Sequence, residues 1–159
     1  MKKIDSETVF LLEKNTSMVF QQLGESKKMV LSTSVDNHVT SRMMSVIIID
    51  GNFYFQTDRK SRKLEQIAEN PKAALCVDNV QVEGECREVG KPSENRDFCT
   101  LYEKYYPNSY KTYTFLADER LICLKPTLIK RWIYEEGKPY EEIFDFQKGS
   151  YEKKAYHLA

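Results

Sequence analysis

Asp50-Gly51 stands between two runs rich in β-branched and aromatic residues, His38–Ile49 (HVTSRMMSVIII) and Asn52–Thr57 (NFYFQT). A two-residue connection of this type requires positive φ at both central positions, which Asp-Gly supplies at low steric cost. The chain is therefore committed to an antiparallel hairpin here, and the rest of the fold must be built around it. Met29–Val35 (MVLSTSV) partly alternates and joins the first run through a second turn pair, Asp36-Asn37. Three strands in meander point to an antiparallel sheet rather than a doubly wound parallel one, whose strands need long crossovers between them.

Around this meander the periodicity changes to that of helices. Ser6–Leu23 places Val9, Leu12, Val19 and Leu23 near helical spacing, with Ser6 as N-cap and Gly24 as terminator. Ser61–Glu69 carries Leu64, Ile67 and Ala68 on one side and stops at Asn70-Pro71. Lys72–Gly90 holds two strands, the second long and bent near Gly84. Ser93–Tyr106 reads as a helix preceded by Pro92, capped by Ser93 and closed by Pro107. Arg120–Pro126 and Thr127–Tyr134 are the last clear strands, followed by a turn at Glu136–Pro139 and a short strand around Glu141–Phe144. From Gln147 onward the polar composition fits either disorder or packing on a partner. The expectation is a mainly β chain with peripheral α: one domain over residues 1–159, six to seven antiparallel strands in a closed or nearly closed barrel, and two or three flanking helices.

Charge narrows the partners. Lys plus Arg and Asp plus Glu number 24 each, so no net positive charge is available to hold a nucleic-acid backbone. The longest purely apolar run is Val46–Ile49, far short of a membrane span, and Asp5, Ser6 and Glu7 follow the two N-terminal lysines, against a signal peptide. Cys76, Cys86, Cys99 and Cys123 are scattered, form no CxxC pair and have only two histidines, His38 and His157, for company. They read as buried core thiols of a cytoplasmic protein, not as a zinc site. The aromatic cluster Tyr102, Tyr105, Tyr106, Tyr110, Tyr113 and Phe115 could wall a pocket or a dimer interface, with packing of a helix on the barrel the favoured reading, and Trp132 reads as a core anchor rather than a stacking residue.

One constellation carries chemistry. Arg42 stands near the start of the strand before the hairpin, on the face shared by Met44, Val46 and Ile48. Thr57, Ser61, Arg62 and Lys63 lie across the hairpin from it, with Thr57 expected opposite Ser45–Arg42. Guanidinium offers phosphate a planar fork of donors, and Ser61 at a helix start brings free N–H groups and the positive end of the helix dipole. Solvated lysines and an N-capping serine would account for the same residues without a ligand. No Ser-His-Asp order and no evident acid/base pair is present, so chemistry would reside in a cofactor.

S-R-M-M-S-V, a hairpin, and then F-x-T-x-x-x-S-R-K-L resembles the FMN-binding core of the pyridoxamine 5′-phosphate oxidase-like split barrels, over about Met29–Gly90. The resemblance implies FMN as cofactor, with Arg42, Ser61, Arg62 and Lys63 on its phosphate. It places Met43, Met44 and Ser45 along the ring edge, Gln56 and Thr57 on the ring or ribityl chain, and Asn79 as a further polar contact. It also implies a homodimer holding each flavin between subunits, and an oxidoreductase acting on a small molecule. Two departures stand out: Ile47 replaces the lysine that the oxidase proper carries five positions after its arginine, and nothing after Trp132 matches its Arg-rich C-terminal segment. The resemblance is therefore to the short general-stress-protein branch. A flavin carrier or redox sensor without turnover, or a haem- or deazaflavin-binding relative, are the alternatives.

Overall fold

The structure, a computed structural model, describes residues 5–157. Six strands form the barrel: β1 (Ser26–Val35), β2 (His38–Ile49), β3 (Asn52–Asp58), β4 (Lys72–Val77), β5 (Val80–Glu88) and β6 (Glu119–Glu135). Their order is β3-β2-β1-β4-β5-β6, every pair is antiparallel, and a β3–β6 pairing closes the ring. Two more strands, β7 (Lys138–Asp145) and β8 (Ser150–Ala155), extend the sheet from β6. The mainly β antiparallel barrel is thus the one expected, with four helices around it: α1 (Ser6–Leu23), α2 (Arg62–Glu69), α3 (Arg96–Tyr105) and α4 (Pro107–Tyr113).

Strand alternation sorts the side chains. Leu31, Val46, Phe53, Phe55, Leu75, Val82, Ile122 and Leu124 point inward and fill the barrel. The helices plug its openings. α1 presents Val19 and Leu23 to the core, with Phe20 against Phe53 beside the Asp50-Gly51 turn. α2 contributes Leu64 and Ile67 at the opposite end, where β1 and β2 meet in their own turn. On the outside, Phe98 and Tyr102 of α3 cover Ile47 and Leu121. The aromatic-rich segment therefore does pack a helix on the barrel, although α4 adds a second short helix that Pro107 opens rather than ends.

Several boundaries differ from expectation for local reasons. Asp5, not Ser6, caps α1, its carboxylate accepting the Glu7 N–H. Asn95, not Ser93, caps α3, because Pro92–Glu94 forms a separate 3₁₀ turn. Arg120–Tyr134 is one strand, not two. Pro126 falls after the β3 ladder ends at Leu124 and before the β7 ladder begins at Leu128, so its missing N–H costs no bond on that edge. The segment after Gln147 forms β8 on β7. Of the thiols, Cys86 and Cys123 are buried, but Cys76 is exposed on the outer face of β4 and Cys99 is half-buried.

Gly84 is bent as expected, with a register shift between Glu83 and Gly84 opposite β6. A Cβ there would sit 2.4 Å from the Lys125 carbonyl oxygen, which is backbone and cannot step aside. Gly84→Ala should cost about 2–3 kcal/mol, the upper range for overpacking, read as a lower midpoint in urea unfolding at unchanged slope. An unchanged midpoint would mean that β5 and β6 are not in this close contact.

Candidate functional site

The site exists because β3 has two neighbours of unequal length. It runs along β6 from Phe53↔Leu124 to Asp58↔Glu119 but pairs with β2 only at Ile47↔Tyr54, Ile48↔Phe53 and Ile49↔Asn52. Beyond Tyr54 it peels away from β2, and Thr57 lies opposite Arg120 rather than opposite Ser45–Arg42. The gap leaves the β3-facing main-chain groups of Met43–Ser45 without a strand partner. A cleft of about 410 Å³ opens there, within the range of small-molecule sites. Met43, Met44 and Ser45 line one side, Gln56, Thr57 and Asp58 the other, and Ser61 and Lys63 one end. Tyr102, Ser109, Tyr113, Leu116 and Glu119 form the wall supplied by α3, α4 and the approach to β6.

The basic run Arg59–Lys63 is divided by the fold. Arg59 and Lys60 both bind Asp118, at 2.8 and 3.2 Å. Arg62 and Lys63, past the cap, form no ion pair among the described residues, and neither does Arg42. These three cations share one neighbourhood. Burial lowers the pKa of Arg42 and of Lys63; Arg62 adds to this at Arg42 and Arg42 at Lys63, where Glu119 and Asp58 act in the opposite sense. Ser61 caps α2 through the Leu64 N–H and hydrogen-bonds Thr57 Oγ1 at 3.0 Å, so two hydroxyls sit at the helix N-terminus. Unpaired cations, hydroxyls and the first N–H groups of a helix are the donor set of an anion site.

Arg42 contributes differently from expectation. Its side chain turns under α2 and donates to Thr33 Oγ1 (2.8 Å), Thr40 Oγ1 (2.6 Å), Gln66 Oε1 (3.2 Å) and the Leu31 carbonyl (3.3 Å). All four acceptors are neutral, so the guanidinium is fixed in place with its charge uncompensated, and it does not line the cleft. Gln56 is the complementary case. Its Oε1 accepts from buried Thr114 at 2.9 Å, while its Nε2 is buried without a partner. A buried unsatisfied amide donor costs about 1–3 kcal/mol, and a ligand acceptor would recover it.

Asn79 is not brought to this cleft. It sits in the β4–β5 turn, donating to the Trp132 carbonyl (2.8 Å) and accepting from Gln22 (2.8 Å), and lines a separate cavity of about 210 Å³ with Trp132. Trp132 is half-exposed against Tyr134 and Tyr156, so it is no core anchor. The aromatic segment, for which a pocket wall is one of the sequence readings, does line the cleft through Tyr102 and Tyr113. Nothing local in the sequence marks Ser109 or Leu116. Glu119 was equally hidden: it is 5% exposed, and burial together with Asp58 across the ladder pushes its carboxyl up to about 7 despite Lys63 nearby.

A closed antiparallel barrel split between two strands, with a helix N-terminus and unpaired cations at the split, defines the fold class of split barrels. The chain belongs to the pyridoxamine 5′-phosphate oxidase family, whose pattern matches residues 17–133. Solved structures agree. General Stress Protein 26 from Bacillus anthracis str. Sterne is 26% identical, with TM-score 0.56 over 75% of this chain and 91% of that one. A pyridoxamine 5′-phosphate oxidase-related, FMN binding protein from Nostoc punctiforme PCC 73102 shares the fold at 15% identity, with TM-score 0.57 over 94% of each chain. An F420 reductase does so at 21% identity, with TM-score 0.55 over 69% of this chain and 94% of that one. Sequence comparison with curated proteins finds no match.

Glu119 gives the site a pH signature of its own. Below the usual carboxylate range both folded and unfolded chains are protonated there. Between that range and about pH 7 the unfolded chain has lost the proton and the folded chain keeps it, so stability falls as pH rises. Unfolding free energies at pH 5 and pH 8 should show wild type losing up to about 3 kcal/mol relative to Glu119→Gln. Parallel profiles for the two proteins would place the carboxyl in ordinary solvent.

Proposed function

We propose that the cleft binds FMN and that the protein is a flavin-dependent oxidoreductase acting on a small molecule. The observation that carries this reading is the trio Arg42, Arg62 and Lys63 around the N-terminus of α2, none of them in an ion pair among the described residues, at the end of a cleft floored by an unpaired strand edge. A phosphomonoester matches that end: Lys63 and Arg62 supply charge, Thr57 and Ser61 hydroxyl donors, and α2 its first N–H groups. Arg42, held on neutral acceptors, adds field from beneath. A flat heteroaromatic ring matches the other part, along Met43–Ser45, where main-chain groups and the orphan Gln56 amide offer hydrogen bonds and Tyr102, Tyr113 and Leu116 offer apolar cover. FMN, when bound, would supply reversible one- and two-electron transfer; the chain's residues hold the phosphate, orient the ring and exclude water from it.

A homodimer fits the same reading. Met43 beside the cleft is 61% exposed and Val39 on the same strand 67%, so this face carries apolar surface in the isolated chain. Asn79 and Trp132, remote from their own cleft, would face the flavin from the second subunit. The family resemblance and the fold shared with an FMN binding protein support the choice of cofactor.

The test is direct. Protein purified without added cofactor should be yellow, or should bind FMN with quenching of flavin fluorescence; a colourless protein indifferent to FMN would overturn the proposal. Binding of F420 in place of FMN would move the site to the deazaflavin reading. Repeated reduction and reoxidation with a nicotinamide donor should distinguish turnover from passive binding. Arg42→Ala combined with Lys63→Ala should weaken FMN by at least ~2 kcal/mol, because charge-assisted phosphate contacts are the stronger kind. Lys63→Ala alone should account for most of the loss, since Lys63 lines the cleft and Arg42 does not.

A further inference from the structure

Glu119 has no role in the scheme above, yet it stands inside the same cleft. It opens β6, pairs across the ladder with Asp58, and is 5% exposed. Its carboxylate makes no ion pair and no hydrogen bond among the described residues. Arg120, the adjacent cation, donates to the Glu119 main-chain carbonyl at 2.8 Å and gives its charge to Glu88 at 3.1 Å. The groups facing Glu119 are Asp58 from β3, Lys63 from α2 with Arg42 and Arg62 behind it, Tyr102 from α3 and Tyr113 from α4. A carboxyl without a partner, on a largely buried residue and open to the cleft, thus acts on the same lysine as an anion at the end of the cleft would.

We propose that Glu119 holds a proton when the cleft is occupied, so that a phosphate-bearing ligand and one proton bind together. This rests on the reading of the cleft as an FMN site. A phosphate dianion and a carboxylate would both draw on Lys63, and like charges sharing one cation repel. Protonation removes one charge, frees Lys63 for the phosphate and turns the carboxyl into a hydrogen-bond donor. The empty site is already poised for this, since burial and Asp58 bring the Glu119 carboxyl up to about 7. The sign follows: above neutrality the empty site has lost the proton, binding must take it back, and affinity falls as pH rises. The limiting slope for one proton is about tenfold per pH unit. Below neutrality the phosphate's own second ionisation, near pH ~6, takes over.

The experiment titrates the full-length protein, freed of bound flavin, with FMN between pH 6.5 and 9, and repeats the titration calorimetrically in buffers of different ionisation enthalpy. Wild type should take up close to one proton per FMN at pH 8, with affinity dropping toward tenfold per unit. Glu119→Gln should show neither effect while still binding FMN. Riboflavin, which lacks the phosphate, should bind wild type with a nearly flat profile. Lys63→Arg keeps its charge across this range, so it should retain the pH dependence; loss of the dependence in Lys63→Arg but not in Glu119→Gln would assign it to the lysine and overturn the proposal. FMN binding with a flat profile would overturn the proton linkage alone, whereas no FMN binding at any pH would overturn the cofactor reading beneath it.

Discussion

Everything at the site depends on β3 being hydrogen-bonded on one edge along its length and on the other for only three pairs. The β6 edge closes the barrel and buries Phe53 and Phe55. The β2 edge is released after Tyr54, and the release is what exposes main-chain groups in a fold that otherwise satisfies them. A barrel closed on both edges would have no cleft, and one open on both would have no core. The Asp50-Gly51 turn holds the two strands together at one end only, and so fixes where the gap starts.

The same economy governs charge. The chain is neutral overall, yet Arg42, Arg62 and Lys63 stand together with no ion pair among the described residues, Glu119 and Asp58 acting on Lys63 from beyond ion-pair distance, while Asp118 holds Arg59 and Lys60. Neutral side chains do the remaining positioning: Thr33, Thr40 and Gln66 hold Arg42 as a carboxylate would, without cancelling it. Acidity enters the cleft only from the β3–β6 ladder, at Asp58 and Glu119. The basic run Arg59–Lys63 is therefore a pair of separate devices, one ion-paired and one open to the cleft.

Legibility in the sequence followed the range of the interaction. The Asp50-Gly51 hairpin, the Ser61 cap and the bend at Gly84 depend on residues within a few positions, and each lies where local chemistry puts it. The α2 end of the cleft was readable for the same reason, since Thr57, Ser61 and Lys63 are neighbours in the chain. Glu119 was not, because it reaches the cleft only through the β3–β6 closure, and Tyr102, one of the aromatics for which a pocket wall is a reading, is placed only by the packing of α3 on Ile47. Asn79 shows the converse: the family resemblance implies a contact, and the turn carries it to another face of its own subunit. The polar β8 strand escaped notice because its pairing with β7, not its own hydrophobicity, makes it a strand.

β6 runs without interruption from Glu119, in the cleft, to Trp132, beside the second cavity, with the Gly84 bulge against its middle. The two cavities therefore lie on one continuous strand, bent where Thr127 is the extra residue opposite Glu83 and Gly84. Sliding that strand by a single residue would turn every side chain on it to the opposite face, emptying both cavities of their β6 residues at once. α3 and α4 wall the first cavity and none of the second, so changes there act on one cavity alone. A shift in the register of β6 acts on both.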